Sequence, residues 1–167
     1  MRFEYHLVAE WPPLAWLAHC IASEPVITVY HGARVEVRDN WFCEAVWDGE
    51  YELGDFDSTD LIFGSGARGR DGHVVFVSSG TTVDRLQALA HDGGVWISNS
   101  LACLLAVTDA AVDPASSRYY EHLGSIVYGL SKYERKLHVS AGSVQFTYFH
   151  NLKWNGTALV EVKKPDK

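Results

Sequence analysis

Short β-rich runs separated by turn residues recur along the chain, and few segments sustain a helical period. Alternation over residues 3–9 predicts a first strand, which Pro12-Pro13 stops. The apolar stretch 14–21 has room for two turns of helix. Residues 25–30 and 33–38 are two β-rich runs around His31-Gly32 and predict a hairpin, with Val35 and Val37 alternating cleanly against Glu36 and Arg38. Aromatic or apolar residues alternate from Trp41 to Trp47, predicting a third strand that closes at Asp48-Gly49. A second sheet is expected from residues 60–63, a Gly-rich turn at 64–72 and the β-branched run 73–79. Residues 85–91 read as a short linking strand or turn, and Gly93-Gly94 leads into a strand over 95–98.

Asn99 or Ser100 is placed to cap a helix over 101–107 whose apolar residues face all sides and need burial. Asp113-Pro114, an N-cap followed by proline at the first helical position, predicts a second helix running to about Val127. After Gly129 and the basic residues Lys132, Arg135 and Lys136, an antiparallel pair is expected from 143–149 and 152–154 around His150-Asn151. Asn155-Gly156 turns the chain into a last strand over 158–162. Strands dominate and helices fall outside a βαβ order, which predicts an α+β fold with antiparallel sheets. Residues 1–160 read as one domain and 161–167 as a tail or linker.

Composition narrows the class. At 167 residues and 47% hydrophobic, one domain can bury a core without staples. The net charge of −7 and the absence of a basic stripe argue against a nucleic-acid partner. Cys20, Cys43 and Cys103 lie far apart among apolar residues and read as core thiols in a reducing compartment. The opening Met-Arg-Phe-Glu-Tyr-His lacks the apolar run of a signal peptide, and no window reaches the length of a membrane span. A cytoplasmic protein with no membrane partner is expected.

Few motifs carry chemistry. Residues 39–60 hold eight acids and no base, an acidic rim best placed in loops and at strand edges. Within it, Asp55-Phe56-Asp57-Ser58-Thr59 has the DxDxT spacing of haloacid-dehalogenase phosphotransferases, in which the first Asp is the nucleophile beside a magnesium ion. The preceding residues 50–54 are too polar for the buried strand such a motif follows. A stand-alone small-molecule enzyme or metal-dependent phosphotransferase built on Asp55, Asp57 and Asp60 is therefore the alternative reading. Gly64-Ser65-Gly66-Ala67-Arg68-Gly69 lacks the Gly-Lys-Ser/Thr ending of a phosphate-binding loop and reads as a hairpin turn. His19-Cys20 are neighbours whose side chains diverge by about 100° on a helix, so they form no dyad. The eight histidines lack zinc-site spacings. No catalytic, cofactor-binding or metal-ligating residue is assigned.

One segment suggests a family. Residues 74–106, followed by Val112-Asp113-Pro114, run as a strand, a short reversal, Gly-Gly, a strand ending in Ser98, and then Leu-Ala-Cys-Leu-Leu-Ala. This order resembles the late part of the glutaminase domain of asparagine-synthetase-type class II amidotransferases. Ser140-Ala141-Gly142-Ser143-Val144 is similar to the Pro-Pro-Gly-His turn of that family. The resemblance covers roughly the last hundred residues. It implies an N-terminal-nucleophile-type fold, two stacked antiparallel sheets flanked by helices as an αββα sandwich.

It also implies a lost activity. The family's nucleophilic Cys at position 2 is replaced by Arg2, its Arg-Asp by Ser78-Ser79, and its Gly and Lys-Pro before Leu by Thr82 and Asp84-Arg85 before Leu86. Asp48-Gly49-Glu50 is only a partial echo of its glutamine-gripping Asn-Gly-Glu. β-Lactam synthetases and lasso-peptide cyclases similarly keep such a domain without the nucleophile. The chain has no Ser-Gly-Gly-x-Asp-Ser loop, so ATP and magnesium are expected only in a synthetase supplied by a following domain or partner chain. The resemblance thus implies a degenerate domain supporting an amide-forming enzyme, with self-association as a further option. Trp41, Trp47, Tyr119, Tyr120, Tyr128 and Tyr133 are its candidate interface rings.

Overall fold

The structure, a computed structural model, describes residues 1–113 and 118–165. The opening strands β1 (Arg2–Leu7), β2 (Trp16–Ile21) and β3 (Val26–His31) belong to one sheet, with β2 antiparallel to β3 and β1 parallel to it. At Gly32 the chain leaves that sheet, and β4 (Glu36–Arg38) and β5 (Trp41–Cys43) pair in a second one. A separate ribbon joins β6 (Val46–Trp47) to β7 (Ile62–Phe63). β8 (Gly66–Arg70) and β9 (His73–Val77) return to the second sheet.

The hairpin of β10 (Leu86–His91) and β11 (Gly94–Ser98) rejoins the first sheet, followed by α1 (Leu101–Val107) and α2 (Tyr119–Gly124). β12 (Lys136–Val139) and β13 (Gly142–Thr147) finish the first sheet, and β14 (His150–Trp154) and β15 (Leu159–Lys163) finish the second. The first sheet has the order β1-β3-β2-β11-β10-β13-β12 and the second β15-β14-β9-β8-β5-β4.

Alternation assigns each strand face to a layer. Trp16, Ala18 and Cys20 of β2 meet Phe42, Ala67, Phe76 and Trp154 of the second sheet in one inter-sheet core. The opposite face of the first sheet presents Leu17, Leu89, Val144 and Phe146 to Leu104 of α1 and Leu123 of α2. The outer face of the second sheet packs Trp41, Cys43 and Val77 on Phe56 and Ile62, under the ribbon and a short turn of 3-10 helix. Both sheets are thus covered on both sides, but helices cover only the first.

These layers correct the expected fold. The chain is mainly β, 43% strand against 14% helical, in three sheets with two short α-helices among the described residues; it is not an α+β sandwich flanked by helices. Of the stretch 14–21 expected to be helical, Trp16–Ile21 form strand β2, because both faces of this strand are buried and its apolar run carries no period of two. The hairpin expected over 25–38 does not form: its halves belong to different sheets. The strand expected from Trp41 to Trp47 splits at Glu44-Ala45 into β5 and β6.

The Gly-rich stretch 64–72 contains strand β8 rather than a turn alone. A Cβ on Gly66 would lie 2.2 Å from the Phe42 carbonyl oxygen, so glycine there permits close backbone approach. The pair expected at 143–154 is likewise divided, β13 going to the first sheet and β14 to the second. The start of the helix expected from Asp113-Pro114 lies partly outside the described residues; beyond it α2 ends at Gly124 and continues as a 3-10 turn, Ser125–Tyr128. The tail expected over 161–167 begins inside β15, which pairs with β14 from Leu159 to Lys163. Among the described residues no helix is long and apolar enough to cross a membrane.

Gly32 makes the crossing between sheets possible. Its N–H donates to the Ala15 carbonyl at 2.8 Å, and a Cβ there would lie 2.2 Å from the Pro12 carbonyl oxygen and 2.7 Å from that of Pro13. Because those neighbours are backbone, Gly32→Ala should destabilise the fold by about 3 kcal/mol. Gly124→Ala, where a Cβ meets nothing within 4 Å, should lie between neutral and a gain of about 1 kcal/mol. Urea unfolding of the two variants beside the parent protein measures both values.

Candidate functional site

At one end of the sandwich the chain brings four polar segments together. Phe42 points into the inter-sheet core, and Glu44, two residues further along the same alternation, points the same way beyond the end of β5. Ser65 opposes it just before β8, and the Glu44 N–H donates to the Ser65 carbonyl at 2.9 Å. From the first sheet come Leu14 and Trp16 at the start of β2 and Asn99 between β11 and α1. Ser100, not Asn99, caps α1, accepting from the Cys103 N–H at 3.3 Å. Asn99 is thereby left for the cluster.

The hydrogen bonds are convergent. Ser65 Oγ donates to Glu44 Oε1 at 2.6 Å, and Asn99 Nδ2 donates to the same oxygen at 3.3 Å and to the Leu14 carbonyl at 2.9 Å. The Trp16 indole N–H donates to Ser65 Oγ at 3.0 Å, and its backbone N–H to Asn99 Oδ1 at 2.8 Å. Burial dominates the ionisation of Glu44 and pushes its carboxyl up to about 7; the Ser65 and Asn99 hydrogen bonds oppose that shift, and the charge of Asp84 adds to it.

Glu44 also lines an opening of about 300 Å³, with Arg34, Glu36 and Cys43 beside it and Leu14, Tyr51 and Phe63 around it. Leu14, Val46, Tyr51 and Phe63 are all exposed, so an apolar rim surrounds the carboxyl. A carboxyl in this range can both give and accept a proton near neutral pH. Ser65 is buried at 1% exposure, so it serves as a bonding partner and is not presented as a nucleophile.

The residues singled out in the sequence are dispersed. Asp55 Oδ1 accepts from the Trp47 indole N–H at 3.2 Å, whereas Asp57 accepts a two-pronged bond from Arg70, with Nε to Oδ2 at 2.8 Å. Asp60 lies at a different opening, beside His150 and Lys164. Among the described residues no group of three or more His, Cys, Asp or Glu side chains comes together to hold a metal ion. His19 and Cys20 sit on β2 and face opposite ways: Cys20 enters the core, and His19 stacks on Trp96 with ring centroids 3.8 Å apart. Burial raises the Cys20 thiol and pushes Cys43 up to about 11. Of the six rings, Trp41 and Tyr133 are buried, Trp47 and Tyr119 half-buried, and Tyr120 and Tyr128 exposed.

Sequence reasoning missed Glu44, counting it as one of eight rim acids. The available signal was its position two residues after Phe42, on the inward side of a strand. The raised carboxyl has a definite consequence for stability. Between pH 4.5 and about 7 the folded state binds the Glu44 proton more tightly than the unfolded chain does, so this group makes stability fall as pH rises through that window. Glu44→Gln keeps an acceptor for Ser65 and cannot ionise. It should remove that decline, making the variant more stable than the parent at pH 8 by an amount on the order of 3 kcal/mol, and urea titrations at pH 5 and pH 8 measure the difference. Comparison of the chain with family models, with curated proteins and with solved structures finds no match.

Proposed function

We propose that this domain is a catalytically inactive, amidotransferase-like unit that supports an ATP-dependent amide-forming enzyme of the asparagine-synthetase type, supplied by a following domain or a partner chain. The observation that carries the reading is an exposed apolar surface along α2 and the turn after it. Tyr120, Val127, Tyr128 and Leu130 are 84%, 81%, 67% and 55% exposed. Such a concentration of rings and aliphatic side chains suits a protein interface.

Two further features support it. The segment that resembles the amidotransferases contains a strand, β9, a later strand ending at Ser98, β11, and the capped helix α1, with strand β10 where the resemblance has a short reversal. Glutamine hydrolysis by that family's route needs an accessible thiolate, and Cys20, Cys43 and Cys103 are buried, the first two with raised thiol pKa. ATP and magnesium belong to the synthetase in this reading, and three free thiols suit a reducing, cytoplasmic setting. The alternative, an enzyme built on the acidic segment, draws less support, because Asp57 is already held by Arg70 and Asp55 by Trp47.

The test uses the natively expressed protein with whatever synthetase is covalently continuous with it or co-purifies in fixed ratio. That assembly should form an amide at the expense of ATP. Tyr120→Ser with Tyr128→Ser should weaken domain–synthetase association by tenfold or more, while domain stability changes by no more than about 0.5 kcal/mol. A lone 18.6 kDa species without a synthetase, or unchanged association in the double variant, would overturn the reading.

A further inference from the structure

A second opening, of about 400 Å³, lies away from the Glu44 groove, where the start of β14 and the residues following β15 meet the loop after β9. Its lining includes Asp60, Gly80, Phe149, His150, Lys163 and Lys164. Phe149 has φ 57°, a left-handed conformation that a bulky aromatic residue rarely adopts and that the surrounding packing has to enforce. The side chain of Lys164 is drawn inward, and its Nζ donates to the Ser78 carbonyl at 2.6 Å. That single bond fixes the nitrogen against the wall of the opening and leaves its remaining valences for another molecule.

Burial lowers the Lys164 amine to about 8, against the opposing charge of Asp60. About a tenth of this amine is then neutral at pH 7, compared with well under a thousandth for an ordinary lysine. A neutral, positioned amine is a nucleophile toward carbonyl carbon. The groups facing it are chemically apt: the Asp60 carboxylate and the His150 imidazole can move protons, and the Lys163 ammonium supplies positive charge without a hydrogen-bonding duty to the Ser78 carbonyl.

We propose that Lys164 is an attachment site for a small, anionic carbonyl compound, which it takes up as an imine. The nitrogen lone pair forms a C–N bond to the carbonyl carbon, and the π pair of the C=O bond goes to oxygen, which takes a proton. The nitrogen loses a proton to give the carbinolamine, whose hydroxyl takes a second proton and leaves as water while the nitrogen gives up its remaining proton, and a C=N bond remains. Aldehyde and amine give imine and water, with no change in oxidation state, and water reverses the step. The site is independent of the support role proposed above, since it needs only this chain.

Glyoxylate with cyanoborohydride is the probe, because reduction converts each imine into a stable carboxymethyl-lysine that peptide mass mapping assigns to a residue. At pH 7, Lys164 should be labelled at least tenfold faster than the exposed Lys132 and Lys136 of the same molecule, and its rate should rise with pH and level off near pH 8. Uncharged propionaldehyde should show a smaller preference for Lys164. Lys164→Arg, which keeps a donor for Ser78, should lose the fast site and leave labelling of the other lysines unchanged. Labelling of Lys164 in the parent protein no faster than that of Lys132 and Lys136 would overturn the proposal, and equal preference with the two aldehydes would overturn its anionic part.

Discussion

Trp16 is the side chain on which most of the architecture converges. Its ring packs between the sheets, edge-on to Phe42 with centroids 5.1 Å apart and roughly parallel to Phe76 at 6.2 Å. A fully buried indole needs a partner for its N–H, and Ser65 Oγ provides it, so the core and the Glu44 cluster are coupled through one residue. Its backbone N–H does the same toward Asn99, tying the start of β2 to the end of β11. Ser98 Oγ donates to the Trp16 carbonyl at 2.5 Å, which leaves little freedom at this position. The carboxyl of Glu44 is therefore held, at the edge of its opening, by groups that cannot move without disturbing the packing between sheets.

The same two-sided burial explains which elements were legible in the sequence. Strand β11 and helix α1 could be read locally, Ser100 capping the helix predicted over 101–107, whereas residues 85–91, read as a linking strand or turn, pair with β11 across a tight turn that uses the positive φ of Asp92 and Gly93. β2 was read as a helix because Trp16, Ala18 and Cys20 fill one core while Leu17 fills another, and no polar face marks the strand period. β8 was obscured by its glycines, of which Gly66 is required by the proximity of Phe42 and Cys43 on the neighbouring strand, a contact far away in sequence. The false hairpin at Gly32 has a related origin. Two β-rich runs around a glycine specify a reversal, but whether the second run pairs with the first depends on backbone crowding from Pro12 and Pro13, again remote in sequence.

The chemistry was less legible than the fold because it depends on which acids and bases are desolvated, and composition carries no such information. Within residues 39–60 burial raises the carboxyl of Glu44, whereas the conspicuous DxDxT pair is spent on Arg70 and an indole. Lys164 lay in a stretch read as tail, and nothing in Lys-Lys-Pro distinguishes the lysine that folds back onto Ser78 from the one that stays in solvent. The amidotransferase resemblance, for its part, concerned the order of local elements. That order does not determine how sheets are covered, so the expectation of helices on both outer faces failed although strands β9 and β11 and helix α1 lie where the order has them, with β10 in place of the short reversal.

Glu44 and Lys164 share a physical logic despite their opposite charges. In each case burial disfavours the ionised form, raising the acid and lowering the base, and a nearby opening allows exchange with solvent or ligand. Their linkage to folding has opposite slopes. Glu44 makes stability fall as pH rises from 4.5 to about 7, because the folded state retains a proton that the unfolded chain has released. Lys164 makes it rise from about 8 to 10.5, because the unfolded chain retains the proton that the folded state has released. Between about pH 7 and 8 both penalties act together: Glu44 is largely ionised and Lys164 largely protonated, each in a site that prefers it neutral. A ligand that neutralises or pairs with either group in that interval recovers part of the stored destabilisation as binding energy, and this is the physical reason to look for function at these two openings ahead of the more numerous charges on the rim.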